Sequence, residues 1–147
     1  MFDHSQTILM IDDDTNDAFL TKRIFSKYAP PVKIVHCSDA SIIYDDVELI
    51  CTKKMNGPYL PDFIFLDINM PKANGLDLLK RLKAHEKIKM IPVLVLTTSE
   101  FRENIECAYA NGAAAYIVKP TTMKAYGEFA SAFMNFWCNS TKRPELN

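Results

Sequence analysis

The chain reads as an α/β protein, a three-layer sandwich with a parallel sheet at its centre, on three observations. Short apolar runs alternate with helix-period segments from end to end; no Gly/Ser/Pro-rich linker or internal repeat breaks the series; and 147 residues suit a single domain. Strands that follow one another through right-handed helical crossovers pair in parallel, and the helices cover both faces.

Ile8 to Ile11 is the first strand, followed by Asp12-Asp13-Asp14-Thr15-Asn16-Asp17. Asp14 or Thr15 can cap a helix in which Leu20, Ile24 and Tyr28 recur four apart, until Pro30-Pro31 stops it. Val32 to Cys37, rich in β-branched residues, is the second strand. Ser38 or Asp39 caps a helix carrying Ile42, Ile43, Val47 and Ile50, ended by Asn56-Gly57-Pro58. Phe63 to Leu66 is apolar throughout, as a strand buried on both faces must be, and Asp67 stands where it ends. Gly75 opens a helix with Leu76, Leu79 and Leu82 on one face, and Pro92 precedes the fourth strand, Val93 to Thr97. Ser99 caps a helix from about Phe101 to Ala110, closed by Asn111-Gly112, where glycine accepts the left-handed conformation. Ala115 to Val118 is the fifth strand, and a last helix spans about Thr122 to Cys138.

Composition narrows the function. Lys and Arg number 17 against 18 Asp and Glu, a net charge of −1 that gives no reason to expect nucleic acid or a membrane surface as partner. The apolar runs are far shorter than the ~18 residues of a membrane span, and Met1 to Gln6 lacks the basic and apolar regions of a signal peptide, so a cytoplasmic protein is expected. Cys37, Cys51, Cys107 and Cys138 show no metal or disulfide spacing and are expected as reduced, mostly buried thiols. His4, His36 and His85 are scattered and are read as surface or loop residues.

Asp12-Asp13, Asp67, Thr97 and Lys119 all fall at carboxyl ends of predicted strands. In a doubly wound sheet these ends share one edge, where such folds bind their ligands. Each residue alone has a plain reading, as a turn or cap for the aspartates and as a solvated charge for Lys119. Together they carry chemistry. At ~5 Å and an effective dielectric of ~20, each pair of like charges costs about 3 kcal/mol, so a cluster of carboxylates calls for a cation. Hard oxygen donors of this kind suit Mg²⁺, while Lys119 and the Thr97 hydroxyl could stabilise a phosphoryl group in transfer to Asp67 as nucleophile.

The motifs Ile11-Asp12-Asp13, Leu66-Asp67-Ile68-Asn69-Met70-Pro71, Val95-Leu96-Thr97-Thr98 and Tyr116-Ile117-Val118-Lys119-Pro120 together resemble the response-regulator receiver domains of two-component signalling. The resemblance implies a flavodoxin-like (βα)5 fold with strand order 2-1-3-4-5. Residues 7–138 would form the receiver, 1–6 an N-terminal extension and 139–147 a polar C-terminal tail. It makes Asp67 the phosphoacceptor, with Asp12, Asp13, Asp67 and the Asn69 carbonyl holding Mg²⁺. Thr97 becomes the switch hydroxyl, Tyr116 its aromatic partner and Lys119 the phosphate-contacting base, with a cis peptide before Pro120. Asn69 and Ser99 fall where the family tunes phosphate lifetime. A histidine kinase or histidine phosphotransfer protein would be the donor, and the protein would be a phosphoacceptor rather than an enzyme.

The short tail after the last helix leaves no room for an output domain, so the expected output is a protein contact. The last helix shows two apolar stripes, Met123, Tyr126, Ala130, Met134 and Trp137 on one side, and Ala125, Phe129, Ala132 and Phe136 on the other. If the first packs on the sheet, the second is free for a homodimer or another partner unless the tail or a neighbouring helix covers it. In length and in Leu96-Thr97-Thr98-Ser99 the chain is similar to stand-alone receivers of bacterial photoreceptor kinases, some of which dimerise here. Three other readings compete. A phosphatase of the haloacid dehalogenase type wants its nucleophile after the first strand in D-x-D-x-[TV], and here Thr15 comes one position early. A flavin carrier would meet three aspartates where its phosphate should sit. A phosphorylation-independent adaptor would leave the intact motifs without a purpose.

Overall fold

The computed structural model describes residues 6–52 and 60–146. Five strands, β1 (Gln6–Ile11), β2 (Val32–Cys37), β3 (Phe63–Leu66), β4 (Val93–Thr97) and β5 (Ala115–Val118), form one sheet in the order β2-β1-β3-β4-β5. All four pairings are parallel. This is the flavodoxin-like receiver fold. The helices are α1 (Thr15–Tyr28), α2 (Ala40–Asp45), α3 (Gly75–Ala84), α4 (Arg102–Ala110) and α5 (Met123–Phe133).

Side chains alternate across a strand, so each central strand feeds two cores. Ile8, Met10, Phe63, Phe65, Leu94 and Leu96 face α1 and α5, where they meet Ala18, Ile24, Phe25, Tyr126, Ala130 and Phe133. Leu9, Ile11, Ile64, Leu66, Val93 and Val95 face the other way, against Ile43 of α2, Leu78, Leu79 and Leu82 of α3 and Ala108 of α4. The buried phenylalanines Phe25, Phe63, Phe65 and Phe133 all fall in the first core. Phe133 lies 5.0 Å from Phe63, 5.2 Å from Phe65 and 5.8 Å from Phe25, all edge-on, the arrangement that aromatic quadrupoles favour.

Local chemistry decides the helix starts. Asp14 caps α1, accepting from the Asn16 and Asp17 N–H groups, and Asp39 caps α2, accepting from Ser41 N–H. The expected long second helix is broken instead. Asp46 turns extended, at φ −148° and ψ 91°, and its carboxylate accepts from Glu48 N–H to start a separate 3₁₀ turn, Val47–Cys51. The predicted stop at Asn56-Gly57-Pro58 lies outside the described residues. Ser99 does not cap α4 directly; that helix starts after Phe101, and the Ser99 hydroxyl serves Phe101 N–H and the Asn104 amide.

The two-stripe reading of the last helix is corrected. Phe129, assigned to the outward stripe, packs 6.0 Å from both Phe25 and Phe65, while Met123, assigned to the inward one, is 56% exposed. At ~100° per residue Phe133 falls between Phe129 and Tyr126, so the three make one broad inward face. The α-helix then gives way to a π turn, Met134–Cys138, which shifts the phase and leaves Phe136 exposed and Trp137 on the Phe63 ring. Of the four cysteines, all unpaired, only Cys37 is fully buried.

The tail folds back rather than trailing into solvent. The Arg143 guanidinium stacks 4.4 Å from the Phe63 ring, donates to Gln6 Oε1 at 2.6 Å and pairs with Asp62 Oδ1 at 3.4 Å, while Leu146 packs on the second core. Arg143 therefore ties the tail to β1 and to the start of β3. Arg143→Ala should lower stability by about 1–2 kcal/mol in urea denaturation, combining a partly desolvated cation–π contact with a charged hydrogen bond. An unchanged midpoint would show the strap to be energetically idle.

Candidate functional site

The parallel order places the ends of β1, β3, β4 and β5 along one edge. Asp12 and Asp67 extend the ladder one residue beyond their strands, Asp12 N–H donating to the Cys37 carbonyl and Asp67 N–H to that of Ile11. Lys119 N–H donates to the Thr97 carbonyl at 2.8 Å, continuing β5 in the same way. The site residues are thus fixed by sheet backbone before their side chains make any contact.

Asp12, Asp13 and Asp67 bring carboxylate oxygens within 4.8 Å of one another. The Lys119 ammonium reaches Asp12 Oδ2 at 2.8 Å, Asp67 Oδ2 at 3.2 Å and, unforeseen from sequence, Asp17 Oδ2 at 2.7 Å. Each of the two buried carboxylates is also held through its second oxygen: Asp12 Oδ1 accepts from Asp14 N–H and Asp67 Oδ1 from Asn69 N–H, both at 2.9 Å. His36 Nε2 lies 2.6 Å from the Asp12 carbonyl, a contact that its place at the end of β2 makes possible.

One ammonium among these carboxylates leaves negative charge in excess. Burial pushes the Asp12 carboxyl above its ordinary range; Lys119 and the Asp14 N–H pull it back, and the Asp67 charge pushes it further up. Burial alone would lower the Lys119 pKa, but hydrogen bonds to Asp12 and Asp17 and the charges of Asp67 and Asp12 outweigh it, so the ammonium holds its proton more tightly than an ordinary lysine. A site that still favours added positive charge, built from hard oxygens, fits a divalent cation.

Thr97 is fully buried, its hydroxyl accepting from Ser99 N–H at 3.4 Å. The Tyr116 hydroxyl donates to the Ser99 carbonyl at 2.8 Å; burial raises its pKa, the Ser99 bond opposes this, and the Asp67 charge adds to it. Asn69 is exposed beside the cluster. The expectation of a cis bond before Pro120 is not met: no peptide among the described residues is cis. Trans is the lower-energy isomer before proline as well, by about 0.5–1 kcal/mol.

A second candidate metal group, Glu48, Cys51 and His85, fails on hydrogen-bond grounds. His85 Nδ1 accepts from the Lys87 and Ile88 N–H groups, so its proton sits on Nε2, which donates to Glu48 Oε1. Neither ring nitrogen is left for a metal.

Asp17 could have been suspected. Side chains in a first helical turn lean back towards the N-terminus, here towards the strand edge. The sequence alone gives it only the plainer role of an acidic residue at the positive end of a helix.

The chain is similar to known proteins over most of its length. "Probable methanogenesis regulatory protein FilR2" from Methanothrix harundinacea is 28% identical over 137 residues, 93% of this chain and 86% of its own length. Response regulator Rcp1 from Synechocystis is 24% identical over 95% of this chain and 93% of its own. The Mn(2+)-bound structure of Rcp1, 23% identical by structural alignment, matches 95% of this chain and 99% of that one with a TM-score of 0.80. A phosphorylated cyanobacterial phytochrome response regulator, RcpA, does so with the same coverage and score at 24% identity. No helix among the described residues is long and apolar enough to cross a membrane. The response regulator receiver domain model matches residues 8–128, most of the chain and every strand end described above, and the chain belongs to that family.

Proposed function

We propose that this chain is a cytoplasmic response-regulator receiver that accepts a phosphoryl group on Asp67 from the phosphohistidine of a histidine kinase or phosphotransfer protein, in a Mg²⁺-dependent step. The observation that carries the reading is the Lys119 ammonium on Asp67 Oδ2 within the carboxylate trio. The metal of Rcp1 and the phosphorylated state of RcpA support it by analogy.

A carboxylate oxygen of Asp67 attacks phosphorus as the P–N bond to the donor imidazole breaks. The bonding pair leaves with the imidazole nitrogen, and a P–O bond forms on Asp67. Lys119 moves its hydrogen bond from the carboxylate to a phosphoryl oxygen, and the Thr97 hydroxyl donates to another. Asp12, Asp13, Asp67 and the Asn69 carbonyl would hold Mg²⁺, which would supply divalent charge to offset the phosphoryl oxygens. As Thr97 is drawn in, Tyr116 exchanges its Ser99 contact for the space vacated, which changes the face of α4, β5 and α5.

The output we assign to the phosphorylated face is a protein contact. A second copy of the chain is the partner we assign to the outward remainder of the last helix, Ala132 and Phe136 with the half-buried Ala125, Phe129 being turned to the core. Light scattering should show a dimer at high concentration, and a monomer with and without phosphorylation would remove that assignment.

Incubation with acetyl phosphate and Mg²⁺ should add the mass of one phosphoryl group to the wild type and none to Asp67→Asn or to protein treated with chelator. An equal gain in Asp67→Asn, or none in the wild type, would refute the acceptor assignment.

A further inference from the structure

We infer that Asp17 is the positioning residue for Lys119, holding its ammonium at the acceptor edge through a pairing that a divalent cation leaves in place. The inference rests on the phosphoacceptor reading of Asp67.

An ammonium has three N–H donors, and Lys119 commits one each to Asp17, Asp12 and Asp67, the bond to Asp17 being the shortest at 2.7 Å. Two of these partners belong to the carboxylate trio that suits a cation; Asp17 does not. In Asp12 and Asp67 the Oδ1 atoms are taken by backbone N–H groups, so Lys119 sits on the oxygens that a cation would draw upon. With that charge satisfied by a divalent ion, the anchor left to Lys119 is Asp17.

Asp17 is itself held in place. Its N–H donates to Asp14 Oδ1 at 3.1 Å, and its carbonyl accepts from the Thr21 hydroxyl at 2.8 Å. The Thr21 oxygen lies 2.5 Å from the Tyr126 hydroxyl. Thr21 has a single O–H and spends it on Asp17, so Tyr126 must be the donor to Thr21. Thr21 is fully buried and Tyr126 3% exposed, which makes this directional chain from α5 to α1 part of the core. The plainer account of Asp17, an acidic side chain favoured at a helix N-terminus, needs no partner. It does not explain why the carboxylate reaches a lysine 102 residues away, nor why a buried tyrosine braces its turn.

The test is a double-mutant cycle on the full chain with two readouts: calorimetric binding of Mg²⁺ alone, and the rate of phosphorylation by acetyl phosphate followed by intact mass. Asp17→Asn keeps the volume and removes the charge. With Lys119 present it should slow phosphorylation about tenfold, the loss of one charged hydrogen bond. It should also weaken Mg²⁺ binding about fivefold, because a lysine released from Asp17 leans harder on Asp12 and Asp67. In the Lys119→Met background the same change should move either readout by no more than about twofold. Asp17→Glu, which can still reach, should recover part of the wild-type rate. Equal effects in both backgrounds would make Asp17 a helix-stabilising residue only, and no effect beside Lys119 would remove it altogether. If the wild type takes up no phosphoryl group, the acceptor reading falls, yet the Mg²⁺ cycle still decides whether Asp17 positions Lys119.

Discussion

Lys119→Met is expected to slow phosphoryl uptake about a hundredfold and to make stability depend on divalent cation. The side chain is 8% exposed, and its partners Asp12 and Asp67 are 1% and 7% exposed, so the substitution strands buried carboxylates without their counter-ion. Breaking such a pair from one side typically costs about 3–5 kcal/mol, and methionine fills the volume without answering the charge. Mg²⁺ should offset much of the loss. At a hundred times its dissociation constant a ligand adds about 2.7 kcal/mol, and the mutant site, freed of a competing ammonium, should bind the ion more tightly than the wild type. The melting temperature should therefore rise more with added Mg²⁺ in the mutant.

The dependence on pH separates the two charges. The pKa of Lys119 is raised, so its stabilising share is complete below the ordinary lysine range, about 10.4, and is lost only as pH climbs through the higher folded value. The carboxyl of Asp12 is also raised, so the folded state gains on the unfolded one as pH falls through the Asp12 value. Loss of Lys119 should strengthen that trend. The gap between mutant and wild type should be widest at neutral pH and narrow in mild acid. For phosphorylation, losing a charge aimed at the phosphoryl oxygens should cost a factor of about a hundred or more. Full stability without cation, or an undiminished rate, would refute this role for Lys119.

What could be read from the sequence follows from what is periodic or positional. β3 was legible because Phe63 to Leu66 must be apolar on both faces, and the site because strand-end residues in a parallel sheet are brought to one edge by the fold itself. Asp17 was not, since its meaning depends on how far a lysine 102 residues away reaches. The break at Asp46 was hidden because Ile42, Ile43, Val47 and Ile50 keep an apolar spacing across it, and a side chain's hydrogen bond to Glu48 N–H decides against continuing the helix. The last helix misled for a geometric reason. With apolar residues around most of its circumference, helical phase alone could not choose the buried face, and the π turn then shifted the phase at its end.

Gly75→Ala should be among the most damaging single-methyl additions to this protein, although a glycine in the first turn of a helix normally gains about 0.4–1 kcal/mol from that change. A Cβ at Gly75 would lie 2.3 Å from the Ile68 Cα and 2.7 Å from the Asp67 carbonyl oxygen. These are backbone atoms of the acceptor loop, which no rotamer change can move aside. Either α3 lifts from the sheet, opening the contacts of Leu78, Leu79 and Leu82, or the Asp67–Ile68 peptide is displaced and the acceptor with it. Both routes are costly. Overpacking typically costs about 1–3 kcal/mol, and a clash between two backbones belongs at or above the top of that range. Gly127→Ala offers the internal control. There the Cβ meets the Tyr28 ring at 2.8 Å, a partly exposed side chain that can swing away, so a loss of about 1 kcal/mol or less is expected. Urea denaturation should rank the two variants in that order. At a temperature where Gly75→Ala is still folded, its phosphorylation by acetyl phosphate should also be slower, while Gly127→Ala reacts at the wild-type rate. If Gly75→Ala were as stable as the wild type, the close approach of α3 to the acceptor loop would not be a constraint on the site.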